Sequence, residues 1–337
     1  MKQMAKQSLS AQLDLAIDAI LARQNSPLPA ADRKLLPLLR IAVELRGLPD
    51  PAFETRLKSD LQRRTVMASQ PTPTPKVVNY IREGFHTVTP YLLVARISEF
   101  MDFLKQAFGA LEQLRVKDPQ TGLVMHAEMK IGDSILEMAQ GNEQFPPRTG
   151  ALHIFVPDVD AVYQQALKAG ATSLYAPMEQ LYGSRDSAVQ DGFGHHWYIA
   201  TYTELGPGKY IPEGLRTVTP YLNPRGAGEL IEFLKVAFDA QEVMRHEQPK
   251  GTIVHAEIRI GDSVIEVTEA RGQWQPMPMA LHLYLPDTGA AYDRAIAAGA
   301  TSVRPPSDQP YGDRAAGVAD AFGNQWWIAT HIRDVQV

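Results

Sequence analysis

Eleven residues, DGFGHHWYIAT at 191–201, return as DAFGNQWWIAT at 320–330. Other stretches return with them. TVTPYL at 87–92 recurs at 217–222, and EFMDFLKQAFGA at 99–110 answers ELIEFLKVAFDA at 229–240. HAEMKIGDSILEM at 126–138 answers HAEIRIGDSVIEV at 255–267, ALHIFVPD at 151–158 answers ALHLYLPD at 280–287, and KAGATS at 168–173 answers AAGATS at 297–302. The offset is 130 early in the copy and 129 later, so the second copy lacks one residue in the turn after its first helix. A solenoid repeats every ~20–50 residues. This spacing instead requires two whole domains in tandem.

Each copy is itself doubled. A strand (VTPYLLVA), a helix (SEFMDFLKQAFG) and strands near ALEQLRV, LVMHAEMKI and SILEM make one unit. LHIFV, the helix DVDAVYQQALKAG, and strands near SLYAP, SRDSAVQ and HWYIATY make the next. The result is a βαβββ module twice per domain and four times per chain, an α+β fold. The strands alternate apolar and polar residues, as expected of a sheet with helices on one face and a cavity on the other. In D-x-FG the glycines Gly194 and Gly323 allow a tight turn with positive φ, and the Gly-Asp of IGDS fits a hairpin turn.

The chain ahead of the repeat reads differently. Residues 1–68 show helical periodicity: Leu13, Ile17, Ile20 and Leu21 share one face, and Leu35, Leu38, Leu39, Ala42 and Leu45 share another, with Pro37 as a late start or kink. Asp50 and Pro51 suit the cap and first position of a third helix. Residues 69–83 form a Pro-rich linker whose SQPTPTPK favours an extended chain. Domains are expected at 84–205 and 214–337, with a linker at 206–213. Residues 1–76 hold 12 Lys/Arg and 7 Asp/Glu, against a net charge of −5 for the whole chain. A basic helical head on an acidic body offers a protein partner a surface, while the body lacks the concentrated positive charge that nucleic acid demands.

Cysteine is absent, which excludes disulfides, thiolate metal sites and a cysteine nucleophile, and fits a reducing compartment. Asp14 and Asp18 interrupt the apolar run near the start, arguing against a signal peptide. No stretch approaches the ~18 apolar residues of a membrane span. The expected location is the cytoplasm.

The βαβββ order, the HAE-x-x-IGDS hairpin, the DVDA-x-Y…KAGA helix and the YG-x-R…D-x-FG-x-x-W-x-IAT ending together resemble the vicinal oxygen chelate superfamily, which contains glyoxalase I, extradiol dioxygenases and bleomycin-resistance proteins. The PhnB-like branch is the nearest in pattern. The resemblance covers about 84–205 and 214–333. It implies incomplete barrels with an internal cleft and, in the metal-dependent members, a divalent ion that polarises substrate oxygens. Its ligands come from the first and last strands of each βαβββ module. Carried over, those places are Thr89, Glu137, Ala151 and Tyr198 in the first copy, and Thr219, Glu266, Ala280 and Trp327 in the second. Exchange of halves between domains gives Thr89, Glu137, Ala280 and Trp327, or Thr219, Glu266, Ala151 and Tyr198. Either way one carboxylate and no imidazole remain, too few to hold a catalytic transition metal. Two residues further along the strand, and so on the same face, stand His153 and His282. A register slip would bring Glu137 to His153, or Glu266 to His282, with Tyr91 or Tyr221 as a third ligand.

The remaining candidates have plain structural readings beside functional ones. His126 with Glu128, and His255 with Glu257, read as polar pairs across strands. Arg185 and Arg314 sit at the cleft rim, as anion binders or as bridges to Asp191 and Asp320. His195 and His196 read as turn and surface residues, since the second copy has Asn324 and Gln325. His86 and His331 each occur once, opposite Arg216 and Tyr202, so neither defines a common site. The two domains are expected to pack as an intramolecular pseudo-dimer. The leading functional expectation is a metal-independent, small-molecule-binding protein, of sequestration or resistance type. Its clefts are walled by Tyr91, Tyr198, Trp197, Tyr221, Trp326 and Trp327. Two alternatives stand beside it: a metal-dependent lyase, isomerase or dioxygenase using Glu137 and Glu266, and a regulatory protein acting through the N-terminal helices. The differences His195/Asn324 and Tyr198/Trp327 suggest unequal clefts.

Overall fold

The computed structural model describes residues 79–335, apart from 181–182, 204, 207 and 250. The helical head and most of the linker ahead of the repeat lie outside the described residues. Within them the four modules run β1 (Val88–Val94), α1 (Ile97–Phe108), β2 (Leu111–Lys117), β3 (Val124–Ile131), β4 (Ser134–Gln140); then β5 (Ala151–Phe155), α2 (Val159–Lys168), β6 (Thr172–Glu179), β7 (Ser184–Gln190), β8 (His196–Tyr202). The second copy repeats them as β9 (Val218–Leu222), α3 (Ala227–Phe238), β10 (Gln241–Gln248), β11 (Thr252–Ile260), β12 (Ser263–Val267), then β13 (Ala280–Tyr284), α4 (Thr288–Ala297), β14 (Thr301–Asp308), β15 (Asp313–Ala319), β16 (Gln325–His331).

Local chemistry sets these elements. Helix α1 buries Ile97, Phe100, Met101, Phe103, Leu104 and Ala107, a three-and-four spacing that makes one apolar stripe. In α2 and α4 the Asp of the repeated PD pair is the N-cap: Asp158 accepts from the Ala161 amide and Asp287 from the Ala290 amide, each at 3.0 Å. Helices α1 and α4 cover one face of the first sheet, α2 and α3 one face of the second.

The sheets mix the copies. One eight-stranded sheet runs β14-β15-β16-β13-β1-β4-β3-β2, the other β10-β11-β12-β9-β5-β8-β7-β6. Each therefore joins the first half of one copy to the second half of the other. The seams are antiparallel, with Thr89 opposite His282 and Tyr91 opposite Ala280 in the first sheet, and His153 opposite Thr219 and Ala151 opposite Tyr221 in the second.

Two of the repeated phrases explain why the halves cross over. The IGDS hairpin of each copy grips the TVTP start of the other. The Thr217 amide donates to Asp133 at 2.9 Å and the Val218 amide to Ser134 Oγ at 2.9 Å. In mirror fashion Thr87 donates to Asp262 at 2.8 Å and Val88 to Ser263 Oγ at 3.0 Å. Gly132 and Gly261 have φ of 57° and 58°, and a Cβ on either would overlap the hydroxyl of Thr217 or Thr87. Glycine is needed there for both conformation and closeness. His86 bridges the two hairpins, with Asp262 at 3.0 Å and the Asp133 carbonyl at 3.2 Å. Arg216, its counterpart, lies 3.5 Å from the Asp133 carboxylate and 3.3 Å from that of Asp262.

Candidate functional site

The face of each sheet turned away from its helices is where the resemblance places a cleft, and strand alternation decides which side chains point to it. In the first cleft Glu137 on β4 is buried, and its Oε2 lies 2.5 Å from His282 Nδ1 on β13. In the second, Glu266 on β12 meets His153 Nδ1 on β5 at 3.1 and 3.0 Å through its two oxygens. The expected pairing of Glu137 with His153 and Glu266 with His282 is therefore corrected. The glutamate and histidine of a cleft come from different copies, because the sheets are assembled from exchanged halves.

Each floor carries a second acid and imidazole. Glu128 stands opposite Glu137 in the β3–β4 register, and His126 Nε2 lies 3.6 Å from Glu128. His126, Glu128 and Glu137 offer ligand atoms that all fall within 4.8 Å of one another. In the second cleft Glu257 stands opposite Glu266, with His255 Nε2 at 3.8 Å and 3.9 Å from the two. The polar pairs read from sequence are thus parts of the cleft floors.

The counter-charges differ. In the first cleft the Arg82 guanidinium is hydrogen-bonded to Glu128, and position 212 of the second copy, its counterpart, is Pro212. Burial would raise the Glu137 pKa, but His282, His126 and Arg82 outweigh it and hold the carboxyl below its ordinary range. In the second cleft, burial would lower the His255 pKa, but Glu257 and Glu266 overcome this and raise it. Behind the first floor, Tyr284 donates to Asp313 at 2.8 Å and His331 meets the same carboxylate at 2.7 Å. Phe155, Ser184 and Tyr202, from the first copy, occupy those places in the second cleft.

The walls are aromatic. Trp327 lies 6.3 Å from Tyr91 and 5.5 Å from Phe145, with the Arg304 guanidinium 5.1 Å from its ring. In the second cleft Tyr198 lies 4.9 Å from Tyr221 and 6.0 Å from Trp274. Burial pushes the Tyr198 hydroxyl up to about 12. Trp327 depends on Gly317 across the β15–β16 ladder, where a Cβ would sit 2.7 Å from the indole ring. Opposite the smaller Tyr198 stands Ala188.

Several sequence readings are corrected. Trp197 and Trp326 are not cleft walls. They are fully buried on the helix side, against Phe108 at 4.6 Å and Phe238 at 5.2 Å, and donate to Asp191 and Asp320. Asp191 and Asp320 also accept turn amides, so they do not bridge the arginines. Arg185 pairs with Asp160 of α2 at 2.7 Å and with Glu179, and Arg314 with Asp308 at 2.8 Å. Arg185 and Arg314 stand opposite Thr201 and Thr330, whose hydroxyls accept from the first amides of α2 and α4. That places both arginines on the helix-covered face. His195 is no surface residue. It is fully buried and accepts from the Gly150 amide at 3.0 Å, and burial lowers its pKa. His196 lies beside Trp274, ring centres 6.1 Å apart. His331 is buried, held by Asp313 and Asp334.

A family model for the Glyoxalase/Bleomycin resistance protein/Dioxygenase superfamily matches residues 84–199 and 222–328. The chain belongs to this superfamily. A protein of Mycobacterium bovis described as uncharacterised is 38% identical over 123 residues, covering 33% of this chain and 80% of its own length. A counterpart in Mycobacterium tuberculosis H37Rv matches at the same 38%, over 72% of its length. The crystal structure of a glyoxalase I variant from Zea mays superposes with a TM-score of 0.55 at 15% identity, over 72% of this chain and 94% of that one. Wild-type glyoxalase I from Zea mays gives 0.53 at 14%. These likenesses show the fold.

The superfamily's metal can be tested against the residues present. At the four places the resemblance implies, the first cleft has Thr89, Glu137, Ala280 and Trp327, and the second Thr219, Glu266, Ala151 and Tyr198. A lone carboxylate among aromatic and small residues does not fit a chelating centre there. Next to those places, His126, Glu128, Glu137 and His282 have suitable donor atoms, but Arg82 already holds Glu128 and His282 holds Glu137.

Proposed function

We propose that the protein binds small organic molecules in two clefts, each shared between its tandem domains, with aromatic walls over a Glu–His floor and no ion chelated at the superfamily's usual places. The observation that carries this reading is Trp327, with its counterpart Tyr198. Each stands where a carboxylate ligand is implied, and each packs among other rings. An aromatic wall supplies flat apolar area, and the floor supplies a few fixed polar groups, the usual composition of an organic ligand site. Glu137 and His282 act as one hydrogen-bonded unit that a ligand donor can enter. Titration with aromatic ligands, followed by tryptophan fluorescence, should report saturable binding in the wild type. Trp327→Phe and Trp274→Phe should each remove part of the signal. Unchanged emission across a broad ligand set would overturn the reading.

A second reading rests on the close approach of His126, Glu128 and Glu137. With His282 they would hold a divalent ion once Arg82 swung aside, and such an ion would supply Lewis-acid polarisation of a bound oxygen. A melting temperature raised by nickel, zinc, manganese or iron, and no longer raised in Glu137→Gln, would favour it, because an ion that binds only the folded chain stabilises it. The interaction role of the N-terminal helices concerns residues outside those described.

A further inference from the structure

Two buried donors in the first cleft have no acceptor among the described residues: Arg304 Nε and Trp327 Nε1. They belong to neighbouring groups, since the Arg304 guanidinium lies 5.1 Å from the Trp327 ring. Arg304 is close enough to Tyr311 and Tyr91 to interact with both electrostatically. A buried donor left without a partner is destabilising, more so when it is charged. Two such donors at one aromatic wall, one of them on a guanidinium lying over the indole ring, suit a ligand that brings acceptor oxygens. The ring of Trp327, flanked by Tyr91 and Phe145, suits a flat body attached to them.

We infer that the first cleft is selective for a planar organic anion, its carboxylate or similar oxygen pair received by Arg304 and Trp327 and its ring lying among Tyr91, Phe145 and Trp327. The inference rests on the small-molecule reading above and assigns it a ligand class. The second cleft lacks the receptor, because Tyr175 and Tyr198 occupy the places of Arg304 and Trp327. Glu137 does not oppose the anion alone, since His282 and the neighbouring Arg82–Glu128 pair accompany it. A donor group at the far end of the ligand would meet this carboxylate.

The test uses the full chain and matched probes, benzoate with benzamide and naphthoate with naphthamide, measured near neutral pH by calorimetry and ligand-observed NMR. The carboxylate of each pair should bind about tenfold or more tightly than its amide, since a charge-assisted contact to a guanidinium is roughly twice as strong as a neutral one. Arg304→Gln should bring the two within about twofold, and Arg304→Lys, which keeps the charge without the fork, should fall between. Unaltered melting of both variants checks that they fold. Equal affinity for carboxylate and amide in the wild type, or a preference that survives Arg304→Gln, overturns the anion assignment alone. If no probe of either kind binds, the small-molecule reading fails with it.

Discussion

The two clefts have the same floor and balance it with different cations. In the first, Glu128 and Glu137 are offset by Arg82, a permanent charge, and Arg304 stands at the wall. In the second, Pro212 and Tyr175 occupy those places, and Glu257 and Glu266 face His255, whose pKa they raise. A guanidinium cannot be titrated away in the working range, whereas an imidazolium can. Duplication thus left one fold with two electrostatic regimes. The first keeps its counter-charge throughout the working range, while the second releases it as pH rises.

The largest effect should come from what the clefts share. Gly132→Ala or Gly261→Ala forces a side chain into a positive-φ position against Thr217 or Thr87, and should destabilise the chain by about 3 kcal/mol or more. Denaturant unfolding would measure it, and a loss under ~1 kcal/mol would mean that the hairpin grip does not hold the exchanged halves together.

Next comes the permanent cation. Arg82→Gln leaves Glu128 buried beside Glu137 without its partner, and should cost about 2–3 kcal/mol. Glu257→Gln, in the cleft with Pro212 at the place of Arg82, should cost much less. Equal losses would erase the distinction between the clefts. A smaller effect should separate the walls. Gly317→Ala pushes against the Trp327 indole and should cost about 1–2 kcal/mol. Adding Trp327→Tyr recreates the Ala188–Tyr198 pair and should recover most of that. A double-mutant cycle measures the coupling directly.

The smallest effect concerns pH. The folded pKa of His255 lies above its ordinary 6.5. Its contribution is therefore complete below 6.5 and is lost as pH rises through the folded value. NMR titration should place His255 above 6.5. Melting followed from mildly acidic to mildly alkaline pH should decline more in the wild type than in His255→Gln. Glu137 has the opposite sign: its pKa is lowered, so its contribution is present above the ordinary carboxyl range and is lost as pH falls through the folded value.

Much of the fold was legible because it depends on local pattern. Strands such as SRDSAVQ and HWYIATY occupy in the structure the very residues their alternation predicts. The partners of Glu137 and Glu266 were not legible, since a duplicated sequence presents the same strand edge in both copies and local pattern cannot choose between them. The choice is made at a distance, where IGDS meets TVTP. Arg82 escaped notice because it precedes the first strand and the repeat has no arginine to match it. Trp197 and Trp326 were misplaced although alternation sets them apart from Tyr198 and Trp327. Adjacent aromatic residues in a strand face opposite ways, and only one of each pair reaches the cleft. His195 looked like a turn residue, yet the D-x-FG turn folds it inward beneath the Gly150 amide.

The most direct test of the central claim, that organic ligands rather than chelated ions occupy these clefts, is the metal content of the purified chain. It would be measured by mass spectrometry on wild type and Glu137→Gln, before and after stripping and reloading with nickel, zinc, manganese and iron. The account predicts no stoichiometric ion in either protein. An ion retained in stoichiometric amount by the wild type and lost from Glu137→Gln would contradict it, and would make His126, Glu128, Glu137 and His282 a metal centre.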